Sequence, residues 1–153
     1  MRLICGHDAE VAAWVAARIP HVSTADGFGP HRAIGVADGP NMAAGIVYHN
    51  YIPRYAHCEI SFAADTPRFA TRGVIRGLMS VPFEQYECRT VSLLIPEGAV
   101  RVQKFVSGSG KNGSFGMGFV RRGCLPQFFD ENSNGVVYTM TRKDYDRLRK
   151  RIG

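Results

Sequence analysis

Three groups of residues in this sequence have the types and spacing to do chemistry. From Ala56 to Ala63 polar and apolar residues alternate, so His57, Glu59 and Ser61 share one face of a strand and Cys58, Ile60 and Phe62 the other. A carboxylate and an imidazole on such a polar face can act as general bases, taking the proton of an attacking nucleophile. Glu59 is the first candidate; His57 can replace or orient it. For Glu59 a cross-strand hydrogen bond or ion pair is an equal reading, and for His57 it is the favoured one. On the preceding strand, alternation puts His49 and Tyr51 on one face and Tyr48 on the other, and His49 and Tyr51 become candidates for lining a substrate groove. The third group, Arg68-Phe69-Ala70-Thr71-Arg72-Gly73, is a polar loop opening an amphipathic helix. Backbone N–H groups at a helix start form an anion site that suits a pyrophosphate. Gly73 permits close backbone approach, Arg68 or Arg72 adds charge, and the Thr71 hydroxyl can donate to a phosphate oxygen.

Other features are set aside on physical grounds. Cys5, Cys58, Cys88 and Cys124 are widely spaced with no CxxC, so a zinc site is not expected, and each sits in or beside an apolar stretch, which predicts buried free thiols. Cys58 falls on the apolar face, which argues against a cysteine nucleophile. The segment Ser107 to Gly118 contains Gly108, Gly110 and Gly113 at dinucleotide-motif spacing and a Gly110-Lys111 step. It follows a helix rather than a strand and lacks the first glycine of a P-loop, so it reads as a flexible insertion. No metal is expected.

These groups must be held by a single domain spanning residues 1–153, a length that can bury a core. Hydrophobic residues make up 45% and charged residues 21%, ordinary for a folded domain. No apolar run approaches the roughly 20 residues that span a bilayer. The start MRLICGHDAE has no long apolar run before its first acids, so no signal peptide and a cytoplasmic location are expected. The net charge of +6 favours an anionic partner, a nucleotide-containing cofactor or a nucleic acid; the basic ending RKDYDRLRKRI reads as the solvated face of a terminal helix.

Along the chain, Arg2–Cys5 reads as an edge strand and the segment after His7 as a helix N-capped by Asp8 and ended by Pro20. Residues 21–31 form a loop. Strands over 32–38 and 42–52 make a hairpin through Gly39-Pro40-Asn41, and 56–63 is the third of the set. A helix from Gly73 is kinked or shortened by Pro82. Residues 89–95 form a buried strand, 99–106 a second helix, and 119–122 and 136–141 the last strands, joined by the turn-rich 130–135. The order β-α-β-β-β-α-β-α-β-β predicts an α+β domain on one mixed sheet.

That order, with R-x-x-T-x-G at 68–73 after the fourth strand, resembles the GNAT N-acetyltransferase superfamily, whose signature is Q/R-x-x-G-x-G/A. PFEQYECRTVSLLI, Gly118-Phe119-Val120-Arg121-Arg122-Gly123 and the ending 137–145 resemble the ribosomal-protein alanine acetyltransferase branch. HCEISF…RFATRGVI…PFEQ resembles small phage and prophage members. The resemblance implies a mostly antiparallel sheet with strands four and five splayed, acetyl-CoA as co-substrate held at Arg68, Thr71, Arg72 and Gly73, and direct acetyl transfer to an amine. Two departures stand out: Pro96-Glu97-Gly98 replaces a customary Asn, and Phe105 replaces the Tyr that serves as general acid, leaving water, Tyr86 or Tyr138 to supply that proton. Two alternatives stay open, a nucleic-acid base-modifying protein like the phage Mom family and a non-catalytic CoA-binding protein. The acceptor amine is not specified, and monomer and homodimer are both allowed.

Overall fold

The structure is a computed structural model that describes residues 1–22, 24–108 and 116–152. Its elements are β1 (Arg2–Ile4), α1 (Asp8–Ala16), β2 (His31–Asp38), β3 (Asn41–Ile52), β4 (His57–Ala64), α2 (Arg72–Ser80), β5 (Thr90–Pro96), α3 (Val100–Ser107), β6 (Val120–Asp130), β7 (Ser133–Thr141) and α4 (Arg142–Ile152). The seven strands form one sheet in the order β1-β2-β3-β4-β5-β7-β6, antiparallel throughout except for the parallel pair β4–β5. The fold is therefore the mixed α+β sheet that the element order predicts.

The two faces are covered unequally. Helix α1 buries Val11, Ala12, Val15 and Ala16 against Ala33, Val47 and Ala63 of the sheet. It can lie this close because Gly35 and Gly45, paired across β2 and β3, stand beneath it; a Cβ on Gly45 would come 2.8 Å from Val15 Cγ2. The other face carries the larger core, with Ile46, Tyr48, Cys58 and Ile60 from the sheet against Ile75, Leu78 and Met79 of α2 and Tyr145, Leu148 and Ile152 of α4. The basic C-terminal segment is thus a packed helix: its Tyr145 stacks on Phe83 at 4.6 Å, Arg142 donates to the Phe83 carbonyl and Arg151 to the Gly116 carbonyl.

Local departures from the sequence reading have local causes. The Asp8 carboxylate does not cap α1; His7 occupies that position, and Asp8 Oδ1 accepts from the Ala33 N–H of β2 at 3.0 Å. Helix α2 ends at Ser80, and Val81–Gln85 continues as a wider π turn around Pro82, which has no N–H to give to a regular helix. Strand β6 runs on through Gly123 and Pro126 to Asp130, well past the expected end at 122, because an edge strand tolerates both residues. Cys58 and Cys88 are buried as expected, but Cys5 and Cys124 are exposed, the first beyond a three-residue strand and the second on the edge. Among the described residues no helix is long and apolar enough to cross a membrane.

Candidate active site

Strands β4 and β5 pair at only three positions, His57 with Thr90, Cys58 with Val91 and Glu59 with Ser92. Beyond Glu59 they part: β4 stays on β3 through Ala64, and β5 stays on β7 through Pro96. The gap between them is a cleft of about 700 Å³, walled by residues 61–64 and 93–96. On one face of the sheet it is bordered by Ile19, Pro20 and His21, which follow α1; on the other it meets Phe69, Arg101 and Phe105. It therefore passes through the sheet, joining two surfaces. The lip on the α1 side is fixed by Arg18, which donates to Asp65 at 2.9 and 3.3 Å and lies 3.6 Å over the Trp14 ring.

Polar side chains gather where the strands diverge. His57 Nε2 and Ser92 Oγ are 2.9 Å apart, bridging β4 to β5. Glu59, 18% exposed, accepts from Asn50 Nδ2 at 3.1 Å through Oε1. His49 Nε2 lies 2.9 Å from Ser61 Oγ and 3.8 Å from Glu59 Oε2. Burial pushes Glu59 above the usual carboxylate range, opposed by the Asn50 hydrogen bond. Burial also holds His57 below its ordinary value and His49 down to about 4, the latter helped by nearby His21 and His31. Both imidazoles are neutral at pH 7, so His49 and Glu59 do not form an ion pair there. Of this group only Ser61 lines the cleft; His57 and Glu59 stand where β4 and β5 still pair, and His49 lies opposite Glu59 on β3.

Tyr51 departs from the expected alternation. Between the pairs His49–Glu59 and Ile52–His57, β3 has two residues where β4 has one, and this bulge reverses the face that Tyr51 presents. Tyr51 stacks on Tyr86 at 4.9 Å, a ring that Tyr48 also meets edge-on, and its hydroxyl donates to the Tyr86 carbonyl. His49 and Tyr51 are therefore not on one face. His49 keeps company with Ser61 and Glu59, and Tyr51 stands apart from them.

The anion loop is built as a helix start. Thr71 is the N-cap of α2, its hydroxyl accepting from Val74 N–H at 3.2 Å, which leaves the hydroxyl hydrogen available to a ligand. The Thr71 amide itself donates to the Phe69 carbonyl, so the amides that a helix start leaves open narrow to those of Arg72 and Gly73. Arg68, Thr71, Arg72 and Gly73 are exposed, and a Cβ on Gly73 would meet nothing within 4 Å. These four do not line the cleft; they continue from its edge at Phe69.

The two departures from the expected pattern have structural counterparts. Phe105 packs at 5.6 Å from Phe69 and 6.0 Å from Phe62, bringing an apolar ring to the cleft wall. Tyr138 donates to Gln103 Oε1, Tyr86 lies under Tyr51, and neither lines the cleft, whose hydroxyl-bearing residues are Ser61 and Thr66. In the glycine-rich stretch, Gly118 N–H donates to Gly108 O and Met117 N–H to Phe105 O, so both ends are tied to the end of α3; of the segment 107–118 expected to be a flexible insertion, residues 109–115 lie outside the described residues. Among the described residues no three potential ligands gather to hold a metal. Asn50, Ser61 and Ser92 were not legible as site residues, since only the register of β3, β4 and β5 brings them together, and the Arg18–Asp65 lip depends on where α1 ends above the sheet.

No family model and no curated protein matches the chain. Solved structures do. A candidate acetyltransferase from T. thermophilus superposes with a TM-score of 0.72 at 16% identity, over 99% of this chain and 90% of that one. A variant of spermidine N-acetyltransferase SpeG from Vibrio cholerae gives 0.69 at 11% identity, over 99% of both chains. A dodecameric structure of spermidine N-acetyltransferase from the same organism gives 0.68 at 12%, over 94% and 95%. The chain has the GNAT acetyltransferase fold, and its own β4 and β5 part beyond Glu59.

Proposed function

We propose that this chain is an acyl-CoA-dependent N-acyltransferase that moves an acetyl group from acetyl-CoA directly to an amine. The observation that carries the reading is the cleft through the divergence of β4 and β5, which lets a thioester enter from the α2–α3 side and an amine from the α1 side. The apolar stretch along Phe69 and Phe105 suits an extended pantetheine arm. The open amides of Arg72 and Gly73, the Thr71 hydroxyl and the side chains of Arg68 and Arg72 suit the pyrophosphate.

In this reading Glu59 takes the proton of the amine, directly or through one water, and the amine nitrogen attacks the thioester carbonyl. The C–S bond breaks, the acetyl group passes to nitrogen and the thiolate takes a proton from solvent, since Phe105 offers none. His57 is held by Ser92 and serves as a support for the vertex; His49, rather than Tyr51, borders the acceptor side. The phage and ribosomal-protein resemblances rest on short sequence segments and do not choose the acceptor.

Titration calorimetry with CoA and acetyl-CoA tests the cofactor half of the proposal. Binding with a Kd in the micromolar range is expected, weakened tenfold or more in Arg72→Glu, which sets a carboxylate against the phosphates. No binding at high micromolar cofactor sinks the proposal, and equal affinity in Arg72→Glu removes the phosphate site from this loop. Thiol release on a panel of amines tests turnover.

A nucleic-acid acceptor is the second reading. Tyr51 and Tyr55 are 41% and 58% exposed at the β3–β4 hairpin, with the Arg54 guanidinium 5.6 Å from the Tyr55 ring centroid. Exposed aromatics beside arginine form a stacking surface for bases. Affinity for single-stranded DNA that falls with salt favours this acceptor; no binding at low salt excludes it.

A further inference from the structure

The bulge in β3 has a cost that its sequence explains only in part. Asn50 absorbs the extra residue by taking a φ of 50°, one of four positive values among the described non-glycine residues. That left-handed conformation strains most side chains and is tolerated by glycine and asparagine. Asn50 is exposed, so no packing requirement selects it over glycine. What asparagine has and glycine lacks is the amide, and its Nδ2 donates to Glu59 Oε1 at 3.1 Å.

We propose that Asn50 is a positioning residue for Glu59: its amide holds one carboxylate oxygen, Oε1, and leaves Oε2 to take the proton of the attacking amine. The inference rests on Glu59 being the base. The bulge makes the contact possible, since regular pairing would turn residue 50 away from the face that Glu59 shares with His49.

The groups around Glu59 give this donor its weight. His49 of β3 approaches Oε2 at 3.8 Å. His57 and Cys58 neighbour it on β4, and Ser92 of β5 lies opposite it in register, already bonded to His57. Burial keeps both imidazoles neutral at pH 7 and pushes the Cys58 thiol up, so none of these groups offers Glu59 a positive charge. The Asn50 amide is what opposes the burial of the carboxylate and favours its ionised, proton-accepting form.

Asn50→Gly keeps the left-handed backbone and removes only the amide. Carbon-13 NMR titration of the Glu59 side-chain carboxyl, with the resonance assigned by its loss in Glu59→Gln, reads the effect without needing an acceptor. The midpoint is expected to rise by about one pH unit in Asn50→Gly. The acid limb of kcat/KM is expected to move up by the same amount, with the KM for acetyl-CoA unchanged. Asn50→Ala should show the same shift together with a lower Tm. An unchanged midpoint in Asn50→Gly overturns the proposal, as does activity lost equally at every pH. A shifted midpoint in a protein that acetylates no amine overturns the role of Glu59 as base, and with it the positioning role, while the hydrogen bond stands.

Discussion

A carboxylate is useful as a base only if it is ionised when the amine arrives and has a free lone pair to offer. Glu59 sits between these demands. Partial burial favours its protonated form and raises its basicity; one amide donor restores the charge. Glu59→Gln keeps the shape and the Asn50 contact through its amide oxygen but removes the proton acceptor. It is expected to lower kcat by about 10²–10⁴ and to leave the affinity for CoA within a factor of two or so. Steady-state kinetics beside calorimetry separates the two effects, and an unaltered kcat removes Glu59 from the mechanism. Residue types alone reveal this much of the site, because the lone acid on the polar face of an alternating strand is visible in the period-2 pattern. The partners of that acid are hidden from such a pattern. Asn50 looks like ordinary polar punctuation near a hairpin end, and its value comes from a bulge that no local pattern announces. The same bulge defeats the reading of Tyr51, since one extra residue reverses every face that follows it.

At the scale of elements, position depends on how closely backbones approach. The α1 helix borders the acceptor side of the cleft, and its height above the sheet is set by Gly35 and Gly45. A methyl group at Gly45 would fall 2.8 Å from Val15 and 3.2 Å from Val11, both β-branched and unable to swing aside freely. Gly45→Ala is therefore expected to cost about 1–3 kcal/mol and to lower Tm by roughly 3–10 °C, as read by calorimetry. It should also weaken turnover more than CoA binding, because the displaced helix carries the Arg18–Asp65 lip and not the phosphate loop. A melting temperature equal to the parent's would show that α1 rides higher than described. Element identities were legible where the period is strong: the apolar stripe of α2, the alternation in β4 and the dense run of β5. The ends were less so. Strand β6 escapes a reading that treats glycine and proline as breakers, for at a sheet edge they remove bonds that no neighbour was waiting to make.

At the scale of the whole molecule, the features that make the vertex reactive also make the fold sensitive to acid. His49 is 5% exposed and is held to about 4, first by burial and then by the nearby imidazoles of His21 and His31. In the unfolded chain it titrates near 6.5. A group whose folded value lies below its unfolded one binds its proton more readily when unfolded, so stability is fully present above about pH 6.5 and is lost as pH falls toward 4. Between pH 7.5 and 4.5 the loss from His49 alone amounts to about 2–3 kcal/mol. His57 and His21 are shifted in the same direction by burial and deepen the loss. Glu59 works the other way: its folded value is raised, so its burial costs stability once pH rises through that value and less in acid. The histidines outnumber it, and a net fall in acid follows. Calorimetric melting across this range is expected to show the parent losing roughly 5–10 °C more than His49→Gln, a variant that cannot take up the proton. Parallel melting curves for the two proteins would mean that His49 reaches solvent before the fold yields, and that the vertex of the cleft is wetter than its packing against Phe28 and Ser61 implies.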